Sequence, residues 1–374
     1  MPYQQKDDIL KGRTLPLKIR PHFQVLDGLR GIAAFAVVLF HFMEWIYPDP
    51  AKNFIGHGFL AVDFFFCLSG FVIGYAYDER LKYIGLKQFF KRRLIRLQPM
   101  VVFGSVIGLI AFLWDPFAGY QHQYRIAKII LLFLCSLLMI PLPVMGERGF
   151  NNFGLNAPSW SLFWEYAANI FYGLFLVKLS RRLLALLLIP AAYFLFNTAY
   201  QKGNLLGGWT GENFWDGGIR IWYSFLAGLI IYRYNLIIKN KAGFIGCGIL
   251  LSLAFIMPHF SFNWLAEALV IAVYFPLIVS LGAGAGLPRK TLAICQFSGN
   301  ISYPLYMTHY AGIWIFGNYL TTYHPEGITL WMIVVGGTIL FTVFAWLVMK
   351  YYDTPVRKWL SRKQVERENT TFKI

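Results

Sequence analysis

Charge is what this 374-residue chain lacks most. Asp, Glu, Lys and Arg together make up 14% of it, against roughly 25% in a soluble domain. So few charges cannot cover a water-facing surface, which excludes the two or three soluble domains that the length alone would suggest. Acids are the scarcer sign, 18 Asp and Glu against 34 Lys and Arg, for a formal net charge of +16. That excess does not mark a nucleic-acid binder, because the basic residues cluster between apolar stretches, as the positive-inside bias of membrane proteins requires. Cysteine is nearly absent. Cys67, Cys135, Cys247 and Cys295 all lie in apolar stretches without metal-ligand spacing, which argues against disulfides and zinc and leaves small core residues. No tandem repeat, low-complexity tract or heptad period is present, and 57% apolar residues exclude disorder. What is present is a series of long apolar runs, the pattern of an all-α polytopic transmembrane helix bundle.

A helix of about 20 apolar residues crosses the hydrocarbon core. Runs near that length occupy 27–46, 58–77, 98–114, 159–178, 181–197, 219–236, 243–257, 263–282, 298–319 and 328–351, which predicts about ten spans. An eleventh apolar run lies at 126–143. Basic residues decide which runs cross. Inside points are the N-terminal segment (Lys11, Arg13, Lys18, Arg20), the connection 78–97, Lys178 with Arg181 and Arg182, Arg233 with Lys239 and Lys241, Arg289 with Lys290, and the tail from Lys350. They alternate correctly only if 126–143 is a re-entrant or interfacial segment, and they put both termini in the cytoplasm. The organisation expected is a cytoplasmic basic segment at 1–21, an integral-membrane domain at 22–360 and a cytoplasmic tail at 361–374, in a bacterial inner membrane. No cleavable signal peptide is evident, since the first apolar run is long enough to remain an anchor.

Ionisable groups inside a membrane are costly, so each is a functional candidate. The first span carries Asp27, Arg30, His41 and Glu44. Eleven helical steps return His41 to within roughly 20° of Arg30 and about 16 Å deeper, while Asp27 and Glu44 extend the stripe at either end. A cationic mouth and a deep imidazole suit an anionic cofactor; a structural polar stripe is the competing reading. The second span places Asp63 in its outer half and Ser69 near its middle, with Gly70 and Gly74 read as helix packing. After it, FFKRRLIRLQP gathers Arg92, Arg93 and Arg96, a guanidinium cluster suited to phosphates or, as membrane lipid would have it, to anionic headgroups. In APSWSLFWEYAANIFYG, Ser161, Glu165, Asn169 and Tyr172 form a polar face beside Trp160, and in SGNISYPLYMTHYAGIWIF Ser302, Tyr306 and His309 share another. His309 enters about as deep as His41, and with Glu165 slightly nearer the outside they form a plausible proton-handling layer.

In order and spacing these motifs resemble the acyltransferase 3 family of integral-membrane acyltransferases. The residues that carry the resemblance are LDGLRGIAAFAVVLFHF with its Arg30-x10-His41 spacing, FLAVDFFFCLSGFVI, KRRLIRLQP, PSWSLFWEY and ISYPLYMTHY. The match runs over about 22–360. It implies transfer of an acyl group, commonly acetyl, from cytoplasmic acyl-CoA to a hydroxyl of a carbohydrate or glycolipid acceptor, with acetyl-CoA as co-substrate and no metal. It also implies essential roles for Arg30 and His41 and donor binding by Arg92, Arg93 and Arg96. Asp353 stands where relatives often carry Glu. Some relatives append an extracytoplasmic SGNH-type domain; none is legible here, which implies action alone or with a separate extracytoplasmic partner.

On this reading His41 is general base on the acceptor hydroxyl. Glu165 or Asp63 orients the imidazole or the acceptor, and His309 polarises or relays. Arg30 joins the arginines at the donor phosphates, and Ser69, Trp160, Ser161 and Tyr306 are substrate-contacting candidates. A covalent acyl-histidine is the alternative route. Two other function classes fit buried charge: a proton-coupled transporter through His41, Glu165 and His309, and a scaffold for polysaccharide export. Acyl-CoA dependence discriminates the transporter, and a neutral isostere at His41 that preserves function marks the scaffold.

Overall fold

Apolar chain in lipid must satisfy its own backbone, and helices do so. A computed structural model describes residues 22–371; the basic segment 1–21 and residues 372–374 of the tail lie outside them. The described residues hold no β-strand, only two isolated bridges. The helices are α1 (Gln24–Ile46), α2 (Ala61–Tyr77), α3 (Leu81–Leu113), α4 (Ile126–Leu137), α5 (Ser159–Leu174), α6 (Arg181–Lys202), α7 (Phe214–Arg233) and α8 (Gly243–Phe255). They continue with α9 (Asn263–Gly284), α10 (Arg289–Tyr323), α11 (Gly327–Val348) and α12 (Thr354–Thr371), the last two joined by a π-turn at Met349–Asp353.

Six of these helices are long and apolar enough to cross a membrane: α1, α2 with its preceding turn, α3, α6, α9, and α11 with its continuation. Helices α7 and α10 have the length, 20 and 35 residues, but carry more polar positions. The run expected as re-entrant or interfacial forms only the 12-residue α4, about 18 Å at 1.5 Å per residue and short of a ~30 Å hydrocarbon core. By the same arithmetic the 13-residue α8, expected as a span, reaches only about 20 Å. The basic connection 78–97 is no loop either. It is the first half of α3, broken at Gly85, whose φ of 74° only glycine adopts freely. In α9 the ladder loosens to a π-turn at Val270–Tyr274, because Pro276 has no N–H to give the carbonyl four residues back. That carbonyl, on Ala272, accepts from the Tyr223 hydroxyl at 3.0 Å instead.

Two helix pairs hold the centre, and both approach through glycine. A Cβ on Gly31 of α1 would lie 1.8 Å from Ser298 Oγ of α10, and one on Gly299 would lie 2.8 Å from the Asp27 carbonyl. Helices α2 and α7 meet likewise: a Cβ on Gly70 would lie 2.1 Å from the Phe225 carbonyl, and one on Gly228 1.9 Å from the Cys67 carbonyl. Small residues let backbones close in where lipid gives no hydrophobic drive. All four cysteines are free and buried. The consequence for function is registry, since α1 and α10 carry the two histidines.

Candidate active site

Ion pairs fix both ends of the polar stripe on α1. Arg30 is tied at one end, to Asp27 at 3.3 Å, Ser302 Oγ at 2.8 Å and the Gly299 carbonyl at 2.8 Å. At the other, His41 Nδ1 lies 2.6 Å from Glu44 Oε1. A carboxylate in that place takes an Nδ1–H, and a neutral imidazole so held offers the lone pair of Nε2, the tautomer a general base needs. The close α1–α10 approach sets His309 beside it, the two imidazole rings stacked with centres 5.4 Å apart. His309 Nδ1 faces the Leu305 carbonyl at 3.1 Å. Tyr310 packs edge-on against His41 at 4.6 Å.

Two cavities flank this centre. The smaller, about 150 Å³, is lined by Arg30, Arg93, Arg96, Ser69, Glu165 and Ser302. The larger, about 480 Å³, is lined by His41, Glu44, Trp160, Arg220 and Tyr310 among others. Val62 and Tyr306 border both. Between them Tyr306 and Ser161 share a 2.7 Å hydroxyl hydrogen bond, while Ser161 also donates to the Pro158 carbonyl. The consecutive residues Trp160 and Ser161 therefore serve opposite cavities, as one turn of helix allows.

The carboxylates expected beside an imidazole sit elsewhere. Glu165 accepts from Arg93 Nη2 at 2.8 Å and from Ser69 Oγ at 3.2 Å, in the arginine-lined cavity. Asp63, fully buried, is gripped by Arg220 through Nε at 3.1 Å and Nη2 at 2.6 Å. Helical spacing shows which residues share a face but not which helix lies opposite, and opposite these acids lie arginines. Nor are the three expected donor arginines one cluster. Arg93 and Arg96 turn into the cavity, with Arg96 over the Tyr303 ring at 5.6 Å, whereas Arg92 is exposed. Among the described residues no group of His, Cys, Asp and Glu is placed to hold a metal ion.

Sequence reasoning passed over three participants. Glu44 was on the stripe but not paired with His41, although a spacing of three on a helix puts side chains in reach. Arg220 and Glu267 are charges inside apolar runs, the signal that singled out Asp63. Glu267 accepts from the Leu205 N–H at 2.6 Å and from Asn263 Nδ2, and His57 Nε2 lies 2.9 Å from Asn263 Oδ1. His57, in the loop before α2, is held below its ordinary pKa of 6.5 by burial, against hydrogen bonds to Asn263 and Met257.

An arginine-lined cavity, a carboxylate-held histidine and a membrane bundle now stand together, and comparison with known proteins decides the family. Residues 23–350 match the acyltransferase domain that defines the acyltransferase 3 family. The chain belongs to that family. Protein 2 in the picA locus of Rhizobium radiobacter is 30% identical over 189 residues, 48% of this chain and 95% of its own length. The peptidoglycan O-acetyltransferase OatA of Listeria monocytogenes is 24% identical over 367 residues, 91% of this chain. The chain spans 56% of that enzyme's length. No solved structure matches the chain.

Proposed function

We propose that this acyltransferase 3 protein moves an acetyl group from cytoplasmic acetyl-CoA to a hydroxyl of a carbohydrate or glycolipid acceptor, within a bacterial inner membrane and with both termini cytoplasmic. The observation that carries the reading is the pair of cavities meeting at Tyr306, cationic on one side and bearing the His41–Glu44 pair on the other. Donor phosphates suit Arg93 and Arg96, whose forks match phosphate oxygens, with Arg30 held rigid beside them. The thioester then reaches His41 past the Ser161–Tyr306 bond.

His41 Nε2 takes the proton of the acceptor hydroxyl as that oxygen attacks the thioester carbonyl. The tetrahedral intermediate collapses by breaking the C–S bond, and the departing thiolate recovers the proton from Nε2. Glu44 holds Nδ1–H throughout and stabilises the imidazolium. His309, stacked alongside, keeps the ring plane fixed. Enclosure between the helices limits loss of the thioester to water.

The test uses protein in nanodiscs with radiolabelled acetyl-CoA. Arg93→Gln/Arg96→Gln is expected to abolish saturable donor binding, and His41→Ala to bind donor but release no coenzyme A. If the parent binds no acyl-CoA of any chain length, the reading fails and a carrier function replaces it.

A further inference from the structure

Among the charged groups lining the large cavity, only Arg148 leaves buried side-chain nitrogens without a hydrogen-bond partner. Glu44 holds His41, Arg220 holds Asp63, Glu267 takes Asn263 and the Leu205 N–H, and Glu147 accepts from the Tyr124 hydroxyl at 2.5 Å. Arg148, which borders the same cavity, is fully buried and forms no ion pair among the described residues. Its Nη1 donates to the Gly154 carbonyl at 2.6 Å, and its guanidinium lies between the Phe112 and Trp314 rings at 5.0 and 5.2 Å. Nε and Nη2 are buried without a hydrogen-bond partner. The indole N–H of Trp314, also at the cavity wall, is equally unpartnered. Tyr120, Glu147 and Asp115 lie near enough to favour the Arg148 charge, and Tyr120 engages its guanidinium, but Tyr120 and Asp115 also take Asn318, and Glu147 takes Tyr124, so none satisfies Nε and Nη2.

Arg220 shows what such an edge is built to hold. It presents Nε and Nη2 side by side to the two oxygens of Asp63, the bidentate fork that matches a planar anion. Arg148 has the same edge unpartnered. A buried guanidinium whose forked edge is unpaired is unfavourable, and with Glu147 and Asp115 near but engaged elsewhere, the anion for that edge can arrive with the ligand of the cavity that Arg148 borders. We infer that the acceptor is an acidic saccharide, whose carboxylate or phosphate docks on Arg148 and Trp314 while a neighbouring hydroxyl meets His41. This rests on the acyltransferase reading and narrows its acceptor class.

The test compares tetragalacturonic acid, its fully methyl-esterified neutral form and galactose 6-phosphate as ligands of the protein in nanodiscs, with acetyl-CoA binding measured on the same samples. The parent is expected to bind the acid at least tenfold more tightly than the ester. Arg148→Gln removes that preference and Arg148→Lys keeps part of it, with donor binding unchanged in the lysine variant and folding of both variants checked by thermal melting. The sugar phosphate separates the two anions: tighter binding than the tetramer assigns the site to phosphate, the reverse to carboxylate. Equal binding of acid and ester, binding of neither, or a preference that survives Arg148→Gln overturns the inference. Failure of acetyl-CoA to bind refutes the transferase reading instead and is scored separately.

Discussion

Removing the Asp63 carboxylate is the perturbation whose magnitude the structure fixes best. Asp63 is 0% and Arg220 1% exposed, and two bonds at 3.1 and 2.6 Å join them. Arg220 Nη1 also donates to the Gly207 carbonyl at 2.7 Å, so its head is anchored and cannot swing to water. Asp63→Ala therefore leaves a buried uncompensated cation, at about 3–5 kcal/mol, or roughly two to three and a half orders of magnitude in the folding equilibrium. Asp63→Leu/Arg220→Met removes both charges at similar volume, and most of that loss is expected to return. The assay is equilibrium unfolding in mixed detergent micelles, read as a double-mutant cycle. A single variant within about 1 kcal/mol of the parent, or a double variant no better than the single, refutes the claim that this pair is dry and mutually dependent.

Three further outcomes are expected. Gly31→Ala puts a Cβ 1.8 Å from Ser298 Oγ and 2.5 Å from its carbonyl, so α1 and α10 must part. The expected loss is at least about 1–3 kcal/mol, seen in the same unfolding assay. Glu165→Gln frees Arg93 from an internal competitor, and donor affinity measured by equilibrium dialysis should rise about fivefold, allowing for the partial exposure of the pair. For His57, burial lowers the folded pKa below 6.5. Between the two values the unfolded chain binds more protons, so stability falls as pH drops from 6.5 towards the folded value. His57→Asn should flatten that slope in thermal melts between about pH 5 and 7.

The helix-borne part of this arrangement was legible in the sequence, and the reason is geometric. Periodicity alone places Arg30, His41, Asp27 and Glu44 on one stripe, and equal depth along α1 and α10 brings His41 and His309 to the same level. What periodicity cannot supply is the partner across a helix interface. Glu165 and Asp63 looked available because Arg93 and Arg220 approach them from other helices. Arg148 ends a single 3-10 turn at Gly146–Arg148, capped by Gly149 at φ 61°, too short for any period to show. Span counting met a different limit. Apolar length gave about ten runs, but the kink at Gly85, the short α8 and the polar α7 and α10 depend on tertiary packing, which lets a central helix carry polar residues that lipid would reject.

The central claim is that His41, held by Glu44, is the base for acyl transfer. Its most direct test is the single-turnover rate of acetyl transfer from pre-bound radiolabelled acetyl-CoA, with the parent, His41→Ala and Glu44→Gln compared in nanodiscs across pH. The expected result is undiminished donor binding with a rate lowered by about 10²–10⁴ in His41→Ala, and in Glu44→Gln a slower rate whose pH profile has moved. A His41→Ala protein that binds donor and transfers at the parent's rate contradicts the account.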